Sequence, residues 1–207
     1  EDTGNRSVAI GDFALTVQNN DDSNYNTAVG YAAGTAVTTG INNTLIGGLA
    51  GQAITTGAYN EALGRSSLYT NTTGAYNVAI GSSSLQNNTT ASNNTGIGYK
   101  SLYANTTGTR NSALGSASLD ANTTGNDNSA YGYAALGVNT TGSNNTAMGV
   151  DALDANTTAS NNTAVGYKSL TANTTGTGLV AVGANAVDAN TTGSNNIGIG
   201  LNAAGGT

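Results

Sequence analysis

The chain has no cysteine, no proline, no tryptophan and no histidine, and only one methionine and one phenylalanine in 207 residues. Without cysteine there is no disulfide and no thiolate metal site, so the compartment must be read from other features. With histidine also missing, the usual nucleophile and base pairs cannot be assembled, and the eleven acidic residues are scattered. Charge is scarce as well: 8% of positions are charged, against roughly a quarter in ordinary globular domains. The basic residues are Arg6, Arg65, Lys100, Arg110 and Lys168 in a chain of net charge −6. They form no cluster of the kind that holds phosphates, which argues against a nucleic-acid partner. No apolar run approaches the roughly 20 residues that span a bilayer, which argues against helical membrane insertion. No basic and apolar leader opens the chain, so a secreted product would have lost its signal or carry it upstream.

What remains is built from Asn, Thr, Ala, Ser and 30 glycines, a bias that means either disorder or a regular array. Hydrophobic residues make up 37% and recur at fixed places, which favours order. The clearest mark is a glycine grid: Gly30, Gly47, Gly64, Gly81, Gly98, Gly115, Gly132, Gly149, Gly166, Gly183 and Gly200, every step 17 residues. Gly11 precedes Gly30 by 19, so the first unit carries two extra residues, placed between Gln18 and Asn24 as an outward loop.

Aligned on the grid, the unit reads approximately N-T-A-V-G-Y-x-A/S-L-x-A-N-T-T-G-x-N. The residue before the glycine is large and apolar or aromatic throughout: Ile10, Val29, Ile46, Leu63, Ile80, Ile97, Leu114, Tyr131, Met148, Val165, Val182 and Ile199. This slot is expected to point inward. Three residues after the glycine stands Ala or Ser, a tightly packed slot, and then Leu in most copies as a second inward row. Where Gly34 and Gly51 replace that Leu, Val37 and Ile54 appear three residues later, at a slot that is Asn in other copies. Close-packed interiors favour such exchange of volume, so the slot is expected to face inward beside the Leu row. That predicts an internal ladder of Asn71, Asn105, Asn122, Asn139, Asn156, Asn173 and Asn190, whose amides bond from coil to coil. Two threonines follow in ten consecutive copies, with only one of each pair outward. A glycine then closes the corner, replaced by Ala91 and Ala159, so compactness there matters more than a left-handed backbone angle.

Each unit offers two short strands, around Ala28–Val29 and around Thr72–Thr73. Seventeen residues bury no core alone, whereas stacked units do. The predicted fold is all-β: a parallel β-solenoid, or β-roll, of about twelve 17-residue coils in one repetitive domain over 1–207. At ~4.8 Å per coil the rod is about 55 Å long. Thr207 lies seven residues after Gly200 and Gly11 ten after Glu1, so a following copy would place grid glycines 18 apart. The expectation is an end-to-end filament of identical subunits or an excerpt of a longer array.

Over Asn26-Thr27-Ala28-Val29-Gly30-Tyr31-Ala32-Ala33, and again over Asn139 to Gly149, the chain resembles 17-residue-repeat bacterial and phage tail-fibre-like surface proteins. It also resembles the YadA-like heads of trimeric autotransporter adhesins, which use shorter units. The resemblance covers essentially the whole chain. It implies a left-handed roll, a homotrimeric assembly and an extracellular, cell-surface or virion-surface location. With the repeat, it leads to the expectation of a structural and adhesive fibre segment, not an enzyme, whose main partner is itself, as a homo-oligomer, trimer or end-to-end polymer. No cofactor is expected.

Other sites compete with plain structural readings. Asp120, Asp154 and Asp188 share a slot, but in alternate coils, so they are too far apart for shared coordination and read as a solvated face. Gly125-Asn126-Asp127 is a single echo of calcium-binding repeats without repetition, so no metal is expected. Tyr31, Tyr99, Tyr133 and Tyr167 follow the grid glycine and form a row for surface glycans or for a subunit contact. The threonines admit ice binding, although such faces favour threonines one residue apart and here they are adjacent. Asn-x-Thr triplets such as Asn71-Thr72-Thr73 are glycan acceptors only if their asparagines face outward.

Overall fold

A computed structural model describes residues 6–18 and 24–204. In it the chain forms β1 (Val8–Ile10), β2 (Thr27–Val29), β3 (Thr44–Ile46), β4 (Glu61–Leu63), β5 (Val78–Ile80), β6 (Thr95–Ile97), β7 (Ser112–Leu114), β8 (Ser129–Tyr131), β9 (Thr146–Met148), β10 (Thr163–Val165), β11 (Val180–Val182) and β12 (Ile197–Ile199). The twelve strands make one parallel sheet in chain order. The fold is thus an all-β parallel solenoid with a 17-residue repeat. The predicted insertion between Gln18 and Asn24 centres on 19–23, outside the described residues. Its effect on register is visible, because Val8 pairs with Thr27, nineteen residues on, while Thr27 pairs with Thr44 at seventeen.

The structure corrects two readings of the repeat. The residue before the grid glycine does not point into the core: Leu63, Leu114 and Met148 are 47%, 48% and 45% exposed. A three-residue strand turns its middle side chain to one face and its two flanking ones to the other. The middle residue is the inward one, as with the fully buried Ala28, Ala79, Ala113 and Ala147. The core is narrow, and the opposing leucines fill it, so alanine suffices on the strand side. The second correction concerns the threonines, which form no strand. Around Thr123 the N–H groups of Thr106, Thr107 and Gly108 all converge on one carbonyl oxygen, at 3.0, 3.2 and 3.3 Å. The chain is therefore pulled round a bend at the threonines and cannot extend.

Each grid glycine has φ between +122° and +145°. A Cβ on Gly115 would come 2.3 Å from the carbonyl oxygen of Gly132 in the next coil, and on the other grid glycines with a coil above them no more than 2.7 Å from the equivalent oxygen. Neither the angle nor the gap admits a side chain, which is why this position never varies.

Every coil also carries three residues near φ +55°: the second residue after the grid glycine, the Leu slot, and the residue before the strand-side asparagine, as with Lys100, Leu102 and Arg110. Left-handed geometry costs an L-residue roughly 1–2 kcal/mol and persists only where the surroundings impose it. Here the N–H of Lys100 donates to Ser82 O at 3.1 Å and that of Leu102 to Ser118 O at 3.0 Å. Neighbouring coils hold these residues in place.

Gly34 and Gly51 sit in this left-handed Leu slot, at φ +59° and +55°. Their missing volume is filled by Leu45, which replaces the usual alanine of the strand centre, as well as by Val37 and Ile54. A Cβ on Gly51 would stand 2.7 Å from Leu45 Cδ2 and 2.8 Å from Ile54 Cδ1.

Candidate functional site

Two interior rows of asparagine organise the coil. Asn71, Asn105, Asn122, Asn139, Asn156 and Asn173 are fully buried, Asn190 is half-buried, and Asn88 belongs to the same row. Each Nδ2 from Asn88 onward donates to Oδ1 of the asparagine one coil earlier, over 2.8 to 3.2 Å. The second row, Asn26, Asn43, Asn60, Asn77, Asn94, Asn111, Asn128, Asn145 and Asn162, stands immediately before the strands and is equally buried. Its Oδ1 atoms accept the backbone N–H of the next coil, as from Asn77 to Asn60 at 3.1 Å. Sequence reading missed this second row, although an asparagine recurring directly before Thr-Ala or Ser-Ala was the signal. Leu179 interrupts it, and its N–H still donates to Asn162 Oδ1 at 2.9 Å.

Both rows meet at the corner. Gly74 O accepts from Asn60 Nδ2 at 3.0 Å and from Asn71 Nδ2 at 2.9 Å. A Cβ on Gly74 would stand 2.3 Å from Asn71 Oδ1 and 2.2 Å from Ala91 O. The corner glycines Gly74, Gly108 and Gly142 are absent from the positive-φ residues, so space and not backbone angle selects them. Ala91 and Ala159 are each flanked by glycine in the coils before and after.

Outside, three surfaces run along the rod. The first is the outer face of the sheet, with Thr or Ser frequent at the first strand position and large apolar residues at the third; Glu61 is its one charged strand residue. Beside it lie Tyr31, Tyr99, Tyr133 and Tyr167, 58%, 55%, 59% and 50% exposed. The structure does not bring the four together: the last three occupy alternate coils, and Tyr31 stands four coils before Tyr99. Lys100 Nζ lies 5.6 Å from the Tyr99 ring centroid and 5.2 Å from that of Tyr103, and Lys168 Nζ 5.3 Å from that of Tyr167. The third surface is the threonine bend. Thr72 is half-buried, its Oγ1 donating to Thr89 O at 3.1 Å, while Thr73 is exposed.

The acidic slot does not gather. Asp120 and Asp154 are two coils apart, roughly 9.6 Å by strand spacing. Partial burial holds both carboxyls above the usual range; Lys100 opposes this at Asp120, and Asp151 adds to it at Asp154. Asp127 is engaged elsewhere, its two oxygens accepting from Arg110 Nε at 2.6 Å and Nη2 at 2.8 Å, which lowers its pKa. Asn126 Oδ1 accepts from Thr109 N at 2.7 Å and from Thr109 Oγ1 at 3.0 Å. The calcium-like echo is thus occupied by side-chain and backbone partners. Among the described residues no group of three or more potential metal-ligating side chains converges. The asparagine of Asn71-Thr72-Thr73 is closed to glycosylation by burial, whereas Asn93, Asn144 and Asn161 head Asn-Asn-Thr triplets and face outward.

No family profile, curated protein or solved structure matches this chain.

Proposed function

We propose that the chain is a structural and adhesive segment of an extracellular fibre, located at a cell or virion surface, that associates with further copies of itself and performs no catalysis. The observation that carries this reading is the continuity of the interior. Backbone pairing and two asparagine rows run from coil to coil, so the molecule is a stiff rod whose length is set by repeat number. Among the described residues the Arg110–Asp127 ion pair is exposed, and no group of three or more acidic side chains converges.

Self-association is supported by the outer sheet face. It is about 55 Å long and on the order of 10–15 Å wide, comparable to the ~800 Å² per partner of a standard interface. Its apolar part is the column of large side chains at the third strand position, beside the Thr and Ser of the first, and an exposed apolar column of this kind marks an interaction site.

The test is sedimentation velocity together with electron microscopy of the full chain. Lateral oligomers or continuous fibres support the reading; a compact monomer at all concentrations overturns its self-association part. A second reading, a glycan-binding face, is favoured by the exposed tyrosine row, and a glycan array on the wild-type chain and a Tyr99→Ala/Tyr133→Ala/Tyr167→Ala variant decides it. A pure shaft is silent in both.

A further inference from the structure

We infer that Tyr59 and Tyr76 form a pre-arranged modification site, at which a peroxidase-type one-electron oxidant couples the two phenols to dityrosine and ties adjacent coils covalently. The two residues occupy the same slot of consecutive coils, the left-handed position before the strand-side asparagine, at φ +56° and +58°. The Tyr59 N–H donates to Ile41 O at 3.0 Å and the Tyr76 N–H to Ala58 O at 3.1 Å. Identical slots project side chains alike, and the rings lie parallel, with centroids 5.1 Å apart and planes 5° apart. The residues are 44% and 58% exposed, so an oxidant reaches them without entering the core. Asn42 and Asn93 hold this slot in the flanking coils, and Tyr25, the other described phenol in the column, stands two coils before Tyr59, so neither ring has a further phenol next to it in the column. The other described ring pair, Phe13 and Tyr31, is edge-on at 86° and contains one phenol.

The chemistry balances. Each phenol gives up one electron and its hydroxyl proton to become a phenoxyl radical with spin on the ring carbons ortho to oxygen. Two stacked radicals join through those carbons, and the displaced ring protons return to the oxygens, restoring both phenols. The two electrons and two protons released reduce one hydrogen peroxide, the peroxidase co-substrate, to two waters. Because the coils already hold the rings together, coupling requires only ring movement. The inference goes beyond the fibre reading and stands or falls without it.

The experiment treats the dilute full chain with a peroxidase and hydrogen peroxide, separates monomer from covalent dimer, and measures dityrosine fluorescence in each. Trypsin cuts after Arg6, Arg65 and Lys100, so an internal link joins the peptides 7–65 and 66–100 with the loss of two hydrogens. The expected result is emission in the monomer, lost in Tyr59→Phe and in Tyr76→Phe and retained in Tyr133→Phe, all with unchanged circular dichroism. Emission confined to covalent dimers, or monomer emission that survives both substitutions, overturns the inference.

Discussion

At the residue scale the unusual feature is that leucine, not glycine, dominates a left-handed position. Leu119 has φ +50° and is fully buried, so its packing outweighs a backbone cost of roughly 1–2 kcal/mol. Leu119→Ala should lower stability by about 2–5 kcal/mol. Leu119→Gly should be no worse, although glycine normally costs about 0.5–1 kcal/mol relative to alanine within regular structure. Denaturant unfolding of the two variants checks the order. In the strand-side amide row, Leu179 shows that an apolar residue fits. Asn128→Leu should therefore cost less than Asn128→Asp, which removes the donor to Gly142 O and buries a carboxylate.

Two carboxylates make opposite pH contributions. Asp154 binds its proton more tightly when folded, because of burial and Asp151. It therefore adds stability at acid pH that is lost as pH rises through its raised folded pKa. Asp127 is held down by its hydrogen bond to Arg110, so its contribution is present above the unfolded pKa and lost as pH falls through the lowered folded one. Relative to wild type, Asp154→Asn should gain at neutral pH and lose that gain on acidification, while Asp127→Asn should lose at neutral pH and converge with wild type in acid. Denaturation midpoints across acidic pH read both.

At the element scale, three-residue strands are too short to be stable individually, and their persistence comes from pairing on both sides. The grid glycine is where consecutive coils come closest. Gly115→Ala forces the Gly132 carbonyl away and should cost several kcal/mol, at the large end of single-substitution effects. Hydrogen exchange should show the loss concentrated in β7 and β8, with distant coils protected, because each coil contacts mainly its neighbours. If exchange rises uniformly, the rod unfolds as one unit and not as a chain of neighbours.

At the scale of the whole molecule, the proposed self-association rests on the outward apolar residues. Leu114 and Met148 contribute to the outer face without filling the core. Leu114→Lys/Met148→Lys should thus leave the unfolding midpoint nearly unchanged, within about 0.5 kcal/mol for each surface site, while abolishing self-association in sedimentation velocity. A large loss of stability would instead place these side chains in the coil's own core.

The period, the all-β class and one of the two expected strands, the one around Ala28–Val29, were legible in the sequence because a solenoid repeats one set of contacts, and each slot shows its tolerance twelve times over. The exchange of Gly51 and Ile54 for Leu and Asn was legible for the same reason, since volume lost in one slot reappears in another. What only the tertiary structure decided is which way the strand slots face. A three-residue strand has two outward positions and one inward, and apolar character alone misassigned the row containing Leu63 and Leu114, because its alanine neighbours fill a core too narrow for more. The left-handed leucines were likewise hidden, and the strand-side asparagines showed only as a recurrence before Thr-Ala or Ser-Ala. Their backbone angles and partners are imposed by the adjacent coils, and nothing within a single 17-residue unit records them.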